Sequence, residues 1–301
     1  LVALLGPGFV AGDRRRRLQL GLDDELCARA LPAIQAILSR TGPQTRAELV
    51  RALDAAGVRI DAQGQAPAHL VFYAAMHGLI CRGPDREDDE PTYVLLEEWV
   101  GARPALDRDT ALAELARRYF TAYSPASARD FASWAGIALG KATRGVQLIA
   151  SELEAVEVAG APAWLLAATY QQSAQADFVA ARPPGANSFA GHAIGTPCIR
   201  LLPRFDAYLL GYNSRDLVLP ARFAHHIQAG GGIIHPAVIV DGRVVGTWRQ
   251  QRQKDRILVS VRPFEPLDSV IFPHLEAEAT DIGRFLGIEA NLALSDPLGS
   301  S

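Results

Sequence analysis

Two segments about eighty residues apart repeat one pattern, and that repeat restricts the fold more than any other feature of the chain. Gly42-Pro43-Gln44-Thr45-Arg46-Ala47-Glu48-Leu49 is echoed by Ser124-Pro125-Ala126-Ser127-Ala128-Arg129-Asp130-Phe131. A small residue and Pro, then Thr or Ser, then an acid three residues on, is the capping-box start of a short helix, because hydroxyl and carboxylate satisfy each other's free backbone N–H. Each copy lies between two helical stretches and is followed by a run with strand character. Helix, capped short helix, helix and hairpin is the plan of a winged helix, so two copies put nucleic acid first among candidate partners.

In the first copy, Asp23 to Arg40 places Leu26, Ala30, Ile34, Ile37 and Leu38 on one helical stripe. Thr45 to Ala56 reads as the second helix, closed by Gly57, and Ala66 to Arg82 as the third, with Leu70, Tyr73, Ala74 and Leu79 inward. Gly83 to Glu90 is then a charged loop tip and Tyr93 to Leu96 the returning strand. In the second copy, Leu112, Leu115, Ala116, Tyr119 and Phe120 mark the first helix, and Ser127 caps a second carrying Phe131 and Trp134. The third runs from Lys141 to Glu154, and Val156 to Leu166 forms a wing with its turn at Gly160-Ala161-Pro162. The expected divisions are a remnant of a preceding segment at 1–22, winged helices at 23–100 and 107–170, a linker at 171–196, a C-terminal domain at 197–287 and a tail at 288–301.

Past the linker the pattern turns to β. Ile199 to Leu202, Ala207 to Gly211, Val238 to Val240, Arg243 to Arg249 and Ile257 to Val261 read as short strands, with Asp241-Gly242 as a two-residue hairpin turn. A small, closed or half-closed antiparallel sheet capped by a helix from Val270 to Leu286 follows from this spacing. The fold class is therefore α+β: tandem winged helices, then a β-barrel-like domain.

A formal net charge of −3 excludes a protein that binds nucleic acid by bulk charge, but its distribution is uneven. Arg82 to Glu114 holds four arginines against ten acids, whereas Pro197 to Arg262 holds ten Arg or Lys against four. Phosphate contacts respond to local charge, so a basic face on an acidic chain suffices. Cys27, Cys81 and Cys198, odd in number and widely spaced, argue for a reducing, cytoplasmic compartment. No run of apolar residues is long enough to span a bilayer. The opening Leu1 to Leu5, broken by Gly6-Pro7-Gly8 and without an initiating Met, reads as a start inside a longer protein.

Two constellations are suited to DNA. Lys141, Arg144 and Gln147 step along one polar face of a third helix, where a winged helix contacts the major groove. Arg249, Arg252, Lys254 and Arg256, interleaved with glutamines, sit at a hairpin tip that can grip phosphates. No CxxC or HExxH spacing exists, His225 and His226 are adjacent and diverge, and Gly230-Gly231-Gly232 is no phosphate loop, so no metal or cofactor is expected. Asp206, Tyr208, Tyr212 and Asp216 could serve in acid–base work, but nothing separates them from ordinary sheet residues. Residue chemistry leaves three readings open: a DNA enzyme's scaffold, a non-enzymatic DNA-binding regulator, and a protein-interaction module.

Arg200-Leu201-Leu202-Pro203-Arg204-Phe205-Asp206-Ala207-Tyr208-Leu209-Leu210-Gly211-Tyr212, followed by Arg215, resembles a signature of the AlkZ/YcaQ-like family of bacterial winged-helix DNA glycosylases. Pro236 to Arg249 and Val261 to Phe264 strengthen the likeness, which spans almost the whole chain. The resemblance implies excision of alkylated or cross-linked bases from double-stranded DNA. It also implies that water is activated by a Gln-apolar-Gln or Gln-x-Asp motif in a first winged helix, which has no counterpart at that place here. Gln63-Gly64-Gln65 lies in a turn of a later unit and is a different feature. The resemblance thus implies a DNA-holding scaffold whose catalytic motif precedes Leu1, and it carries over only the basic hairpin around Arg249 to Arg256.

Overall fold

The computed structural model describes residues 2–86, 90–101, 106–168 and 197–298; the linker expected over 171–196 lies outside them. The chain divides into two compact units, one of Leu1–Ser124 with Ala135–Leu166 and the other of Pro125–Trp134 with Ala167–Ser301.

The first unit opens with α1 (Val2–Gln19), a full helix where only a remnant was expected. Its sequence has no apolar stripe, and close approach to a neighbour holds it instead. A Cβ on Gly6 would stand 2.1 Å from the carbonyl oxygen of Met76. Arg17, 2% exposed, lies with its guanidinium 4.4 Å over the Tyr73 ring, 3.8 Å from Asp13 and 3.6 Å from Asp24. Its Nη1 donates to Cys27 Sγ at 3.4 Å, while Asp13 also meets His69 Nδ1 at 2.9 Å.

The stripe read from Asp23 onward folds as α2 (Asp24–Thr41), capped by Asp23 and burying Cys27, Ala30, Ile34, Ile37 and Leu38. The capping box forms as its sequence demands: Thr45 N–H donates to Glu48 Oε2 at 2.8 Å and Glu48 N–H to Thr45 Oγ1 at 3.3 Å, starting α3 (Arg46–Ala55). The hydrogen bond from Thr45 holds the Glu48 carboxyl below its ordinary range. After α4 (Ala66–Met76) the chain departs from the expected long helix. Gly78 takes φ 73°, Leu79 N–H caps back onto Ala74, and Ile80–Arg82 becomes strand β2. β1 (Gln44–Thr45), β3 (Thr92–Leu95) and β2 form an antiparallel sheet in the order β1-β3-β2, and a short helix α5 (Leu96–Val100) follows.

Asp107 caps α6 (Arg108–Tyr123), which buries the five residues of its predicted stripe. Arg117 on its surface grips Glu152 at 2.7 Å and holds that carboxyl below its usual range, while Arg118 at 2.7 Å and then Arg117 at 2.8 Å lower that of Glu114. The helix α8 (Leu139–Leu148) ends earlier than the expected Glu154, because Leu153 already opens β4 (Leu153–Val158). β4 pairs with β5 (Ala161–Leu166) through Ala159 and Gly160, both at positive φ, so the turn sits one residue earlier than expected.

Helix α7 (Ala128–Ala135) belongs almost entirely to the second unit. Its capping box uses Asp in place of Glu: Ser127 N–H donates to Asp130 at 2.9 Å and Asp130 N–H to Ser127 Oγ at 3.1 Å. The other Asp130 oxygen accepts from the backbone of Asn213 at 2.9 Å. Five strands make the sheet, β6 (Ile199–Leu202), β7 (Ala237–Val240), β8 (Arg243–Gln253), β9 (Arg256–Pro263) and β10 (Glu289–Leu294), in the order β10-β9-β8-β7-β6. β7 is buried on both faces. Val238 and Val240 join the core under helix α9 (Phe272–Leu286), while Ala237 and Ile239 join a second core with Leu209, Ile227, Ile234 and Phe264.

Two expectations are corrected here. Ala207–Leu210 is a short helix rather than a strand, because Asp206 caps it by accepting from Tyr208 N–H at 2.8 Å. The segment after 287 is no tail: Gly287 ends α9 in a left-handed turn and β10 then pairs parallel to β9, so the sheet is mixed rather than antiparallel.

Candidate nucleic-acid interface

The β8–β9 hairpin carries a cluster of exposed cations. Eight residue pairs hold it, from Gly246↔Pro263 to Gln253↔Arg256, around the two-residue turn Lys254-Asp255. Its base needs glycine. A Cβ on Gly246 would stand 2.7 Å from the Arg262 oxygen and 2.9 Å from Pro263 Cα. Gly246→Ala is expected to destabilise this unit by about 1–3 kcal/mol by forcing the strands apart, read as a lower urea midpoint. An unchanged midpoint would show that the close approach is not required.

Strand register decides which way each cation points. Ile257, Val259 and Val261 are buried, so their partners Arg252, Gln250 and Trp248 share the core-side face, with Arg252 at the exposed end. Trp248 is fixed there by donating Nε1–H to the Leu202 oxygen at 2.7 Å. The opposite, outward face carries Thr247, Arg249, Gln251 and Gln253 beside Arg262, Ser260, Leu258 and Arg256. The four cations predicted for the tip therefore divide: Arg249 and Arg256 on the outward face, Arg252 on the other, Lys254 in the turn. A concavity of about 460 Å³ adjoins Arg249 and is lined by Thr247, Trp248, Ser260, Arg262, Ser295 and Asp296. Arg262 was not singled out from sequence, although its even spacing from Arg256 along β9 was the available signal.

None of Arg249, Arg252, Lys254 and Arg262 has a carboxylate partner within ion-pair distance among the described residues, and Arg256 donates Nε–H only to Gln253 at 2.9 Å. Arg200 and Arg222 of the same unit are by contrast neutralised by Glu278 at 3.2 Å and Glu265 at 2.8 Å. The hairpin thus keeps its charge available.

On α8, Lys141, Arg144 and Gln147 are all exposed, with Ala142, Gly145 and Val146 on the buried side. Arg144 is bound to Asp109 at 2.6 Å, so this face offers one unengaged cation, Lys141. Two of the four acid–base candidates have structural duties. Asp206 is a helix cap, and the Tyr208 hydroxyl donates to the Gly242 oxygen at 2.7 Å with its pKa pushed up by burial. Gln65 accepts from Arg16 Nη2 at 2.7 Å. His225 and His226 do not diverge as expected: their rings lie 3.8 Å apart, and burial, then His225 and Arg262, push the His226 pKa down. Among the described residues no group of three His, Cys, Asp or Glu could hold a metal ion, and no helix is long and apolar enough to cross a membrane.

The fold is thus a mixed α/β chain with an exposed hairpin whose cations lack carboxylate partners among the described residues. Residues 4–285 match the family described as DNA glycosylase AlkZ-like. The chain belongs to the AlkZ-like DNA glycosylase family. It is 29% identical over 220 residues to an interstrand DNA cross-link repair glycosylase of Streptomyces sahachiroi, covering 71% of this chain and 53% of that one. The chain therefore spans about half the length of this curated relative. Its fold is like that of the solved Streptomyces sahachiroi DNA glycosylase AlkZ, with a TM-score of 0.72 at 23% identity over 98% of this chain and 76% of that one.

Proposed function

We propose that this chain is the double-stranded-DNA-holding scaffold of a glycosylase that excises alkylated or cross-linked bases, with the water-activating Gln-based motif outside these residues. The observation that carries the reading is the hairpin of Arg249, Arg252, Lys254 and Arg256, exposed and without carboxylate partners among the described residues, in a chain of this family. The arrangement α2-β1-α3-α4-β2-β3, with its three-stranded sheet, supports a winged helix over 23–100. Helices α6 and α8 with the β4–β5 hairpin support most of a second over 107–170, whose middle helix α7 groups with the other unit; its Lys141, Arg144 and Gln147 face would add contacts. Base excision needs a positioned group to activate water at the glycosidic carbon. The polar side chains with acid–base capacity around Asp206 and Tyr208 are already committed to holding the fold.

The test uses a duplex carrying a methylated purine. The 301-residue chain is expected to bind it and release no base, while the gene product that contains the chain releases the base. Base release by the chain alone would overturn the placement of the catalyst, and failure to bind would overturn the scaffold reading.

A further inference from the structure

Phe205 is displayed where a phenylalanine ordinarily would not be. It takes φ 57°, the left-handed region, in the turn after β6, and the residue is 49% exposed. A bulky residue there is an outlier, since Gly or Asn fits such a position without crowding its Cβ. The surroundings fix it: Phe205 N–H donates to the Ile234 oxygen at 3.3 Å, and Asp206 caps the helix that follows. Just before the turn, the Leu202 oxygen is held by Trp248. Packing does not account for a phenylalanine left half in water. Beside it, the Arg204 guanidinium stands 5.5 Å from the ring centroid. A planar apolar surface next to a cation with no carboxylate partner among the described residues, on a pinned backbone, suits a planar, electron-rich partner with a phosphate close by.

We infer that Phe205 is a base-stacking residue, receiving an unpaired or extruded nucleobase while Arg204 meets the adjoining phosphate. The inference rests on the DNA-holding reading and adds to it the feature of DNA that is recognised: a base outside the stack rather than the regular duplex. Aromatic platforms serve this way because every base has a stacking face. A damaged or mismatched base is also cheaper to unstack than a paired one.

The probes are a matched duplex and the same duplex carrying one extrahelical 2-aminopurine, with the 301-residue chain. The chain is expected to bind the second about tenfold tighter and to quench its fluorescence. Phe205→Ala and Phe205→Gly lose both effects while matched-duplex affinity stays within about twofold; Phe205→Trp keeps both. Phe205→Gly should also melt about 2–4 °C above Phe205→Ala, because only glycine is at ease at this φ. Ala and Gly variants that keep the preference and the quenching overturn the inference and leave the DNA-holding reading standing. So does a wild type that binds both duplexes equally. A wild type that binds neither overturns both. A Gly variant no more stable than the Ala variant overturns the argument from backbone strain.

Discussion

Replacing Arg249, Arg252, Lys254 and Arg256 together by Ala is expected to make the salt dependence of duplex binding shallower by about 3 to 4 units in log K against log salt. Each cation that neutralises a phosphate releases a condensed counterion, and none of the four is engaged by a carboxylate among the described residues. Between 50 and 200 mM salt the parent should lose roughly a hundredfold more affinity than the variant. Because these side chains are exposed, the fold should be unaffected, with the thermal midpoint as the check. Lys141→Ala is expected to lower the slope by about one unit, and Arg144→Ala by less, since Asp109 already occupies Arg144. An unchanged slope in the quadruple variant would assign the hairpin to solubility alone.

The largest effect on stability is expected at Arg17. Its guanidinium is buried over Tyr73 and among Asp13, Asp24 and Cys27, and its Nε atom has no hydrogen-bond partner. Removing one member of such a cluster leaves Asp13, itself only 14% exposed, short of its cation. Arg17→Ala should destabilise the first unit by roughly 3–5 kcal/mol in a urea titration. Arg17→Met should cost less, because the long side chain keeps the packing over Tyr73. A loss below about 1 kcal/mol for the Ala variant would mean that α1 is held by Gly6 and its contacts alone.

Features written in local chemistry were legible in the sequence. Thr45 with Glu48 and Ser127 with Asp130 form their reciprocal caps, and the stripes of α2 and α6 bury the side chains their spacing selects. The Asp241-Gly242 turn places both residues at positive φ and joins β7 to β8. What failed depended on distant partners. The helix α1 has no stripe, since it is secured by one glycine approach and one buried arginine that nothing distinguishes from Arg14, Arg15 and Arg16 in the run. Strand β10 pairs with β9 across the whole of α9, a parallel contact with no local signature. Ala207–Leu210 has strand-like composition, and a single cap at Asp206 turns it helical.

The candidate site was legible as a cluster of cations and not as a surface. Counting cations found Arg249 to Arg256, but only register shows that Arg252 points away from Arg249 and Arg256 and that Arg262 joins them beside the concavity. Phe205 was visible as part of a family-like run, whereas its left-handed backbone and exposure belong to the folded turn.

The central claim, that the β8–β9 hairpin lies against DNA, is tested most directly by tethered cleavage. An iron–EDTA reagent attached to Asp255→Cys, with Cys81 and Cys198 replaced by Ser, places a short-range radical source at the hairpin turn. The prediction is cleavage of a bound duplex confined to a few nucleotides around the lesion. Cleavage from the same reagent on exposed Phe285→Cys of α9, with none from the hairpin, would contradict the account.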